Sequence, residues 1–90
     1  MPATLFLPAV LAKLADGKEL PAHGETVGEV VADIAVRFPS LGARLRDDQG
    51  NLYPYVTIYL NDEDIRFLGG FTATVRDGDE LTVVPAIAGG

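Results

Sequence analysis

The stretch that decides the fold is TVGEVVADIAVRFP, residues 26–39. Val27, Val30, Val31, Ile34 and Phe38 recur at helical spacing and fall on one face. Thr26 stands at the N-cap, and Glu29 three residues on completes a capping-box pattern, which satisfies donors that a helix start leaves orphaned. Gly28 weakens the helix by up to about 1 kcal/mol relative to alanine. Pro39 stops it, since proline has no N–H to continue the ladder. A helix with one apolar stripe needs a partner surface, and the flanking segments supply strands.

Upstream, TLFLPAVLAKL (4–14) is apolar and strand-compatible. Asp16-Gly17 marks a tight turn, and KELPAHG (18–24) reads as the returning strand, so residues 4–22 are expected to form a hairpin. Pro8 and Pro21 lack the ladder donor and suit strand edges or bulges. Downstream, SLGARLRDDQGNL (40–52) reads as a polar loop with a short helical turn at 41–46. In YPYVTIYL (53–60), Tyr55, Thr57 and Tyr59 alternate with Val56, Ile58 and Leu60, the pattern of a half-buried strand. NDED (61–64) turns the chain and IRFL (65–68) is expected to bring it back. Gly69 and Gly70 let the backbone turn with φ > 0. A second Asp-Gly turn at Asp77-Gly78 leads to the last strand, ELTVVPA (80–86), with Leu81 and Val83 opposite Thr82 and Val84. The expected class is α+β: a sheet covered on one face by one main helix.

Ninety residues make one domain, here residues 1–84 followed by a tail, 85–90. Thirteen acids against seven Lys and Arg give a net charge of −6. That disfavours nucleic acid and anionic membrane surfaces and fits a partner with a basic docking face. With no cysteine, disulfides, thiolate metal sites and a cysteine nucleophile are excluded, which fits a reducing compartment. The first basic residue is Lys13, no secretory leader is expected, and no apolar run approaches the ~20 residues of a membrane span. The expectation is a soluble, cytoplasmic protein.

No residue pattern suggests catalysis. His23 and Ser40 are the only histidine and serine, and neither has an evident partner. NDED lacks the glycine and distant glutamate of an EF-hand loop and reads as a solvated turn. LGGF (68–71) lacks the strand, lysine and helix of a phosphate loop. No intrinsic catalytic residue, metal ligand or resident cofactor is expected. What remains is the ending, PAIAGG. A tail of six residues, 85–90, reaches at most about 20 Å. Gly89 and Gly90 carry no Cβ, so a narrow channel admits them, and the carboxylate of Gly90 is open to activation by another protein. Pro85 and Ile87 are expected to dock against that partner. Phe67 or Phe71 could stand exposed beside them, but core packing, the commoner fate of phenylalanine, is the favoured expectation for each.

Taken together, the hairpin start, TVGEVVADI, VTIYLNDEDIRFLGG and VRDGDELTVVPAIAGG resemble the ubiquitin-like sulfur carriers of the ThiS/MoaD family, over essentially the whole chain. YLNDEDIRFLGG and the AGG ending are most similar to the carrier type that serves cysteine biosynthesis. The resemblance implies a β-grasp fold with a mixed sheet. It also implies a carrier rather than an enzyme. A ubiquitin-activating-type adenylyltransferase would use ATP and magnesium to adenylate Gly90, and a sulfur donor would convert the adenylate to a thiocarboxylate. In the cysteine branch, a pyridoxal-phosphate-dependent cysteine synthase would accept the sulfur and a metalloprotease would regenerate Gly90. Gly89, Ala88, Ile87, Ala86 and Pro85 would form the segment inserted into these partners. Three alternatives stand beside this: a carrier for molybdopterin or thiamin synthesis, a ubiquitin-like modifier joined to lysines through the same activated Gly90, and a plain β-grasp interaction module.

Overall fold

The computed structural model describes residues 2–85. Five strands form one mixed sheet in the order β2-β1-β5-β3-β4. They are β1 (Ala3–Phe6), β2 (Glu19–Ala22), β3 (Val56–Leu60), β4 (Glu63–Asp64) and β5 (Glu80–Pro85). β1 and β5 pair in parallel, while the other three neighbour pairs are antiparallel. The first and last strands therefore lie side by side inside the sheet. This is the expected β-grasp.

Helix α2, Val27–Arg37, buries Val27, Val30, Val31 and Ile34, the stripe read from the sequence. Leu5, Ile58, Leu81 and Val83 are buried with them from β1, β3 and β5. Burying each such side chain stabilises the fold by roughly 1.5–3 kcal/mol. No polar or charged residue is buried among the described residues, so the core is held by apolar contact alone. Pro21 sits in β2, an edge strand of the sheet, where its missing N–H costs no ladder bond.

The start of α2 satisfies its donors in three ways. Thr26 Oγ1 accepts from the Glu29 N–H at 3.2 Å. Glu29 Oε1 accepts from the Glu25 N–H at 2.9 Å, one residue earlier than the standard capping box would place it. The Val27 N–H donates to the Ala73 carbonyl at 3.0 Å, and the Val75 N–H to the Glu25 carbonyl at 2.9 Å. The segment around Thr74 is thereby bridged to Thr26. Gly28 has a packing reason: a Cβ there would meet the Phe71 carbonyl oxygen and Cβ at 3.1 Å.

Four local expectations are corrected. β1 and β2 do pair as a hairpin, but a short helix α1, Ala9–Ala12, lies between them. Pro8 is its N-cap, and the Pro8 carbonyl accepts from the N–H groups of Leu11 and Ala12. Proline ends the strand, and its fixed φ suits a helix start. Second, residues 39–45 are not mainly loop. They form helix α3, Pro39–Leu45, with Pro39 at its first position and Leu41, Gly42 and Leu45 buried. Pro39 ends one helix and begins the next, as its geometry permits. Third, Glu63 and Asp64 already belong to the returning strand β4, opposite Leu60 and Tyr59, and Ile65–Phe67 is a 3₁₀ turn. The reversal is made by Asn61 and Asp62 alone, with φ of 50° and 74°. Such a two-residue turn with both φ positive matches the twist of a hairpin. Fourth, Phe67 is 84% exposed and takes no part in the core, whereas Phe71 packs against it.

Candidate functional site

β5 runs between β1 and β3, and its last residue, Pro85, lies opposite Val56 and is half-buried. Ala86, Ile87, Ala88, Gly89 and Gly90 lie outside the described residues. Five extended residues span at most about 17 Å. Anything that acts on the carboxylate of Gly90 must therefore approach the end of β5 to within that distance.

Two apolar grooves flank this end. One, of about 350 Å³, is lined by Phe6, Pro8, Val10, Val84 and Pro85. Val10 and Val84 are each about half exposed there, at 51% and 44%. The other, of about 390 Å³, lies between residues 51–56 and the 65–71 loop, with Leu52, Tyr53, Val56, Ile65, Arg66 and Phe71 in its wall. The Tyr53 and Tyr55 rings stack at 5.1 Å beside it. Gly69 and Gly70, with φ of 102° and 63°, turn the 65–71 loop as expected.

Arg66, exposed at this second groove, is bonded in a fork. Its Nε lies 3.2 and 3.1 Å from Asp64 Oδ1 and Oδ2, and its Nη2 lies 2.8 Å from Asp64 Oδ2. Nη2 also donates to Thr57 Oγ1 at 3.3 Å. The Arg66 backbone N–H donates to Asp64 Oδ1 at 2.9 Å, capping the 3₁₀ turn. The Arg66 side-chain hydrogen bonds, then its backbone N–H, hold the Asp64 carboxyl below its ordinary pKa, and the same pairing raises that of Arg66. The sequence reading missed this pair. An Asp-x-Arg spacing across a turn was its only signal.

His23, Ser40 and Asn61 line neither groove. His23 is exposed, and Ser40 is exposed on α3. The NDED turn bonds to its own neighbourhood: Asn61 Nδ2 donates to Asp79 Oδ1, and Asn61 Oδ1 accepts from the Glu80 N–H, both at 2.9 Å. The Arg76 N–H and then the Asn61 amide lower the Asp79 pKa. Among the described residues no group of three or more His, Cys, Asp or Glu could hold a metal ion, and no helix is long and apolar enough to cross a membrane.

Residues 5–90 match the ThiS family. The chain is 40% identical over 93 residues to the sulfur carrier protein CysO of Mycobacterium tuberculosis, covering all of both. Its fold matches that in the crystal structure of the Amycolatopsis orientalis BexX/CysO complex with a TM-score of 0.87 and 42% identity, over 98% of this chain and 99% of that one. The small archaeal modifier protein 1 of Methanosarcina acetivorans matches with a TM-score of 0.85 and 29% identity, over 98% of this chain and 95% of the other.

Proposed function

The chain belongs to the ThiS family of ubiquitin-like sulfur carriers, and from that premise we propose that it carries sulfur as a thiocarboxylate on Gly90, for cysteine biosynthesis. The observation that supports this most is full-length similarity to a sulfur carrier named CysO, in a body whose central strand ends five residues before Gly90.

A carboxylate is a poor electrophile, so sulfur cannot displace its oxygen directly. A ubiquitin-activating-type partner with ATP and magnesium would form the acyl-adenylate at Gly90 and release pyrophosphate. A sulfur donor would attack the acyl carbon, expel AMP and leave the thiocarboxylate. A pyridoxal-phosphate-dependent synthase would then join the thiocarboxylate sulfur to the side-chain carbon of an activated serine derivative, expelling that derivative's leaving group and leaving cysteine acylated by Gly90. A metalloprotease would hydrolyse that acyl bond to release cysteine and restore the Gly90 carboxylate. This chain contributes recognition and a tethered reactive atom, the division of labour seen in group carriers. Ala86, Ile87, Ala88 and Gly89 would thread the partner's channel, with Pro85 at its mouth.

Incubation with the adenylating partner, ATP, magnesium and a sulfide source tests this by intact mass. We expect the mass gain of one oxygen-to-sulfur exchange, localised to Gly90, and none in a variant lacking Gly90. An unchanged mass, or native protein that continues beyond residue 90 and is never trimmed, refutes it. Likeness to a small archaeal modifier protein favours a second reading, conjugation through the same activated carboxylate. Gly-Gly remnants on lysines of cellular proteins, with no thiocarboxylate, would establish that reading instead.

A further inference from the structure

We propose that the groove between residues 51–56 and the 65–71 loop is a docking pocket for one bulky apolar side chain of the enzyme that activates Gly90, with Arg66 binding the main-chain carbonyl beside that side chain. This rests on the proposed function. Three observations carry it.

The first is the groove's chemistry and size. At about 390 Å³, with Leu52, Tyr53, Val56, Ile65 and Phe71 in its wall, it falls in the range of sites that accept an apolar group. The second is Arg66. Nε and Nη2 are committed to Asp64 and Thr57, while Nη1 makes no hydrogen bond among the described residues. Asp64 offsets the charge of the guanidinium, so what Arg66 presents is a fixed pair of N–H donors and little net positive potential. That combination suits a neutral acceptor such as a peptide carbonyl better than a carboxylate. A side chain already bonded in a planar fork loses less freedom on binding than a free one. The third is position. Val56 lines the groove and is the strand partner of Pro85. A protein surface that receives Gly90 lies within about 17 Å of Pro85, and this rim falls inside that reach. The anchor would fix the direction in which the tail leaves the sheet.

Steady-state adenylation by the purified activating enzyme of the same organism tests the pocket, with the carrier as the varied substrate. Asn51→Trp plugs the rim from an exposed position. The backbone bonds Asn51 makes to Asp47 do not involve its side chain. Arg66→Ala removes the donors, and Arg66→Lys keeps the charge without the paired geometry. We expect the KM for the carrier to rise about fivefold or more in Asn51→Trp and Arg66→Ala. Lysine should not rescue it. Turnover at saturating carrier and the thiocarboxylate mass should stay unchanged in all three variants, and the melting temperature in Asn51→Trp.

An active wild type whose KM is unmoved by both Asn51→Trp and Arg66→Ala sinks the pocket and leaves the sulfur-carrier reading intact. Rescue by Arg66→Lys overturns the carbonyl assignment. A fall in turnover with KM unchanged also overturns the proposal, since the groove would then act elsewhere than in docking. If the enzyme neither binds nor adenylates the wild-type chain, the pocket falls together with the functional reading.

Discussion

Gly42 shows how one residue can be misread. In the sequence it looks like a loop glycine. In the fold it sits inside α3 against α2, where a Cβ would fall 2.6 Å from the Ala35 Cβ and 2.7 Å from the Ala35 Cα. The glycine is there because two helix backbones come too close for any side chain. Gly42→Ala should therefore destabilise the protein by about 1–3 kcal/mol as the helices are forced apart, despite alanine's better helix propensity. Urea unfolding measures this, and a gain in stability would mean the contact is looser than the geometry says. Asp64 and Asp79 lend themselves to a pH test. Both have folded-state pKa values below the ordinary 3.8. A depressed carboxylate adds stability in full above the unfolded-state value, and loses it as pH falls through the folded-state value. Stability should thus decline below about pH 4, and the double variant Asp64→Asn/Asp79→Asn should flatten that decline. An identical acid limb in wild type and variant would show that neither contact matters for folding.

The start of α2 is where local sequence and long-range contact meet. Thr26 and Glu29 announce the cap, and the hydroxyl does accept from the Glu29 N–H. The bond from the Val27 N–H to the Ala73 carbonyl depends on a segment nearly fifty positions later. Thr26→Ala should cost about 1 kcal/mol, which lowers the melting temperature of a domain this size by roughly 4–8 °C. Much more than that would mean that Thr26 also holds the bridge to Thr74. The alternating burial of β3 and β5 was legible because period-two apolarity on a sheet covered on one face has a single reading. α1 and α3 were not. Four and seven residues are too few for a periodic signal, and such short helices exist because tertiary packing holds them.

For the molecule as a whole, the central question is whether the body and the ending are independent. Among the described residues the core has no buried charge and no buried side-chain polar atom without a partner. Removal of residues 86–90 should leave the melting temperature within about 2 °C of wild type, because the described core is already complete without them and chain ends in general add little stability. The same deletion should abolish thiocarboxylate formation. Calorimetry and intact mass on one sample separate the two effects, and a large fall in melting temperature would show that the ending is part of the fold.

The apolar stripe of residues 27–38, the alternation in β3 and β5, and the small-residue ending were readable without any structure. The stripe and the alternation depend on spacing along the chain, which local geometry converts directly into a helix face or a strand face, and the ending is read from its residue types alone. The exposure of Phe67, the glycine contacts at Gly28 and Gly42, the groove beside Pro85 and the Asp64–Arg66 fork were not readable. Each depends on which distant backbone comes to lie alongside, and the parallel pairing of the first and last strands sets that only when the whole chain closes on its core.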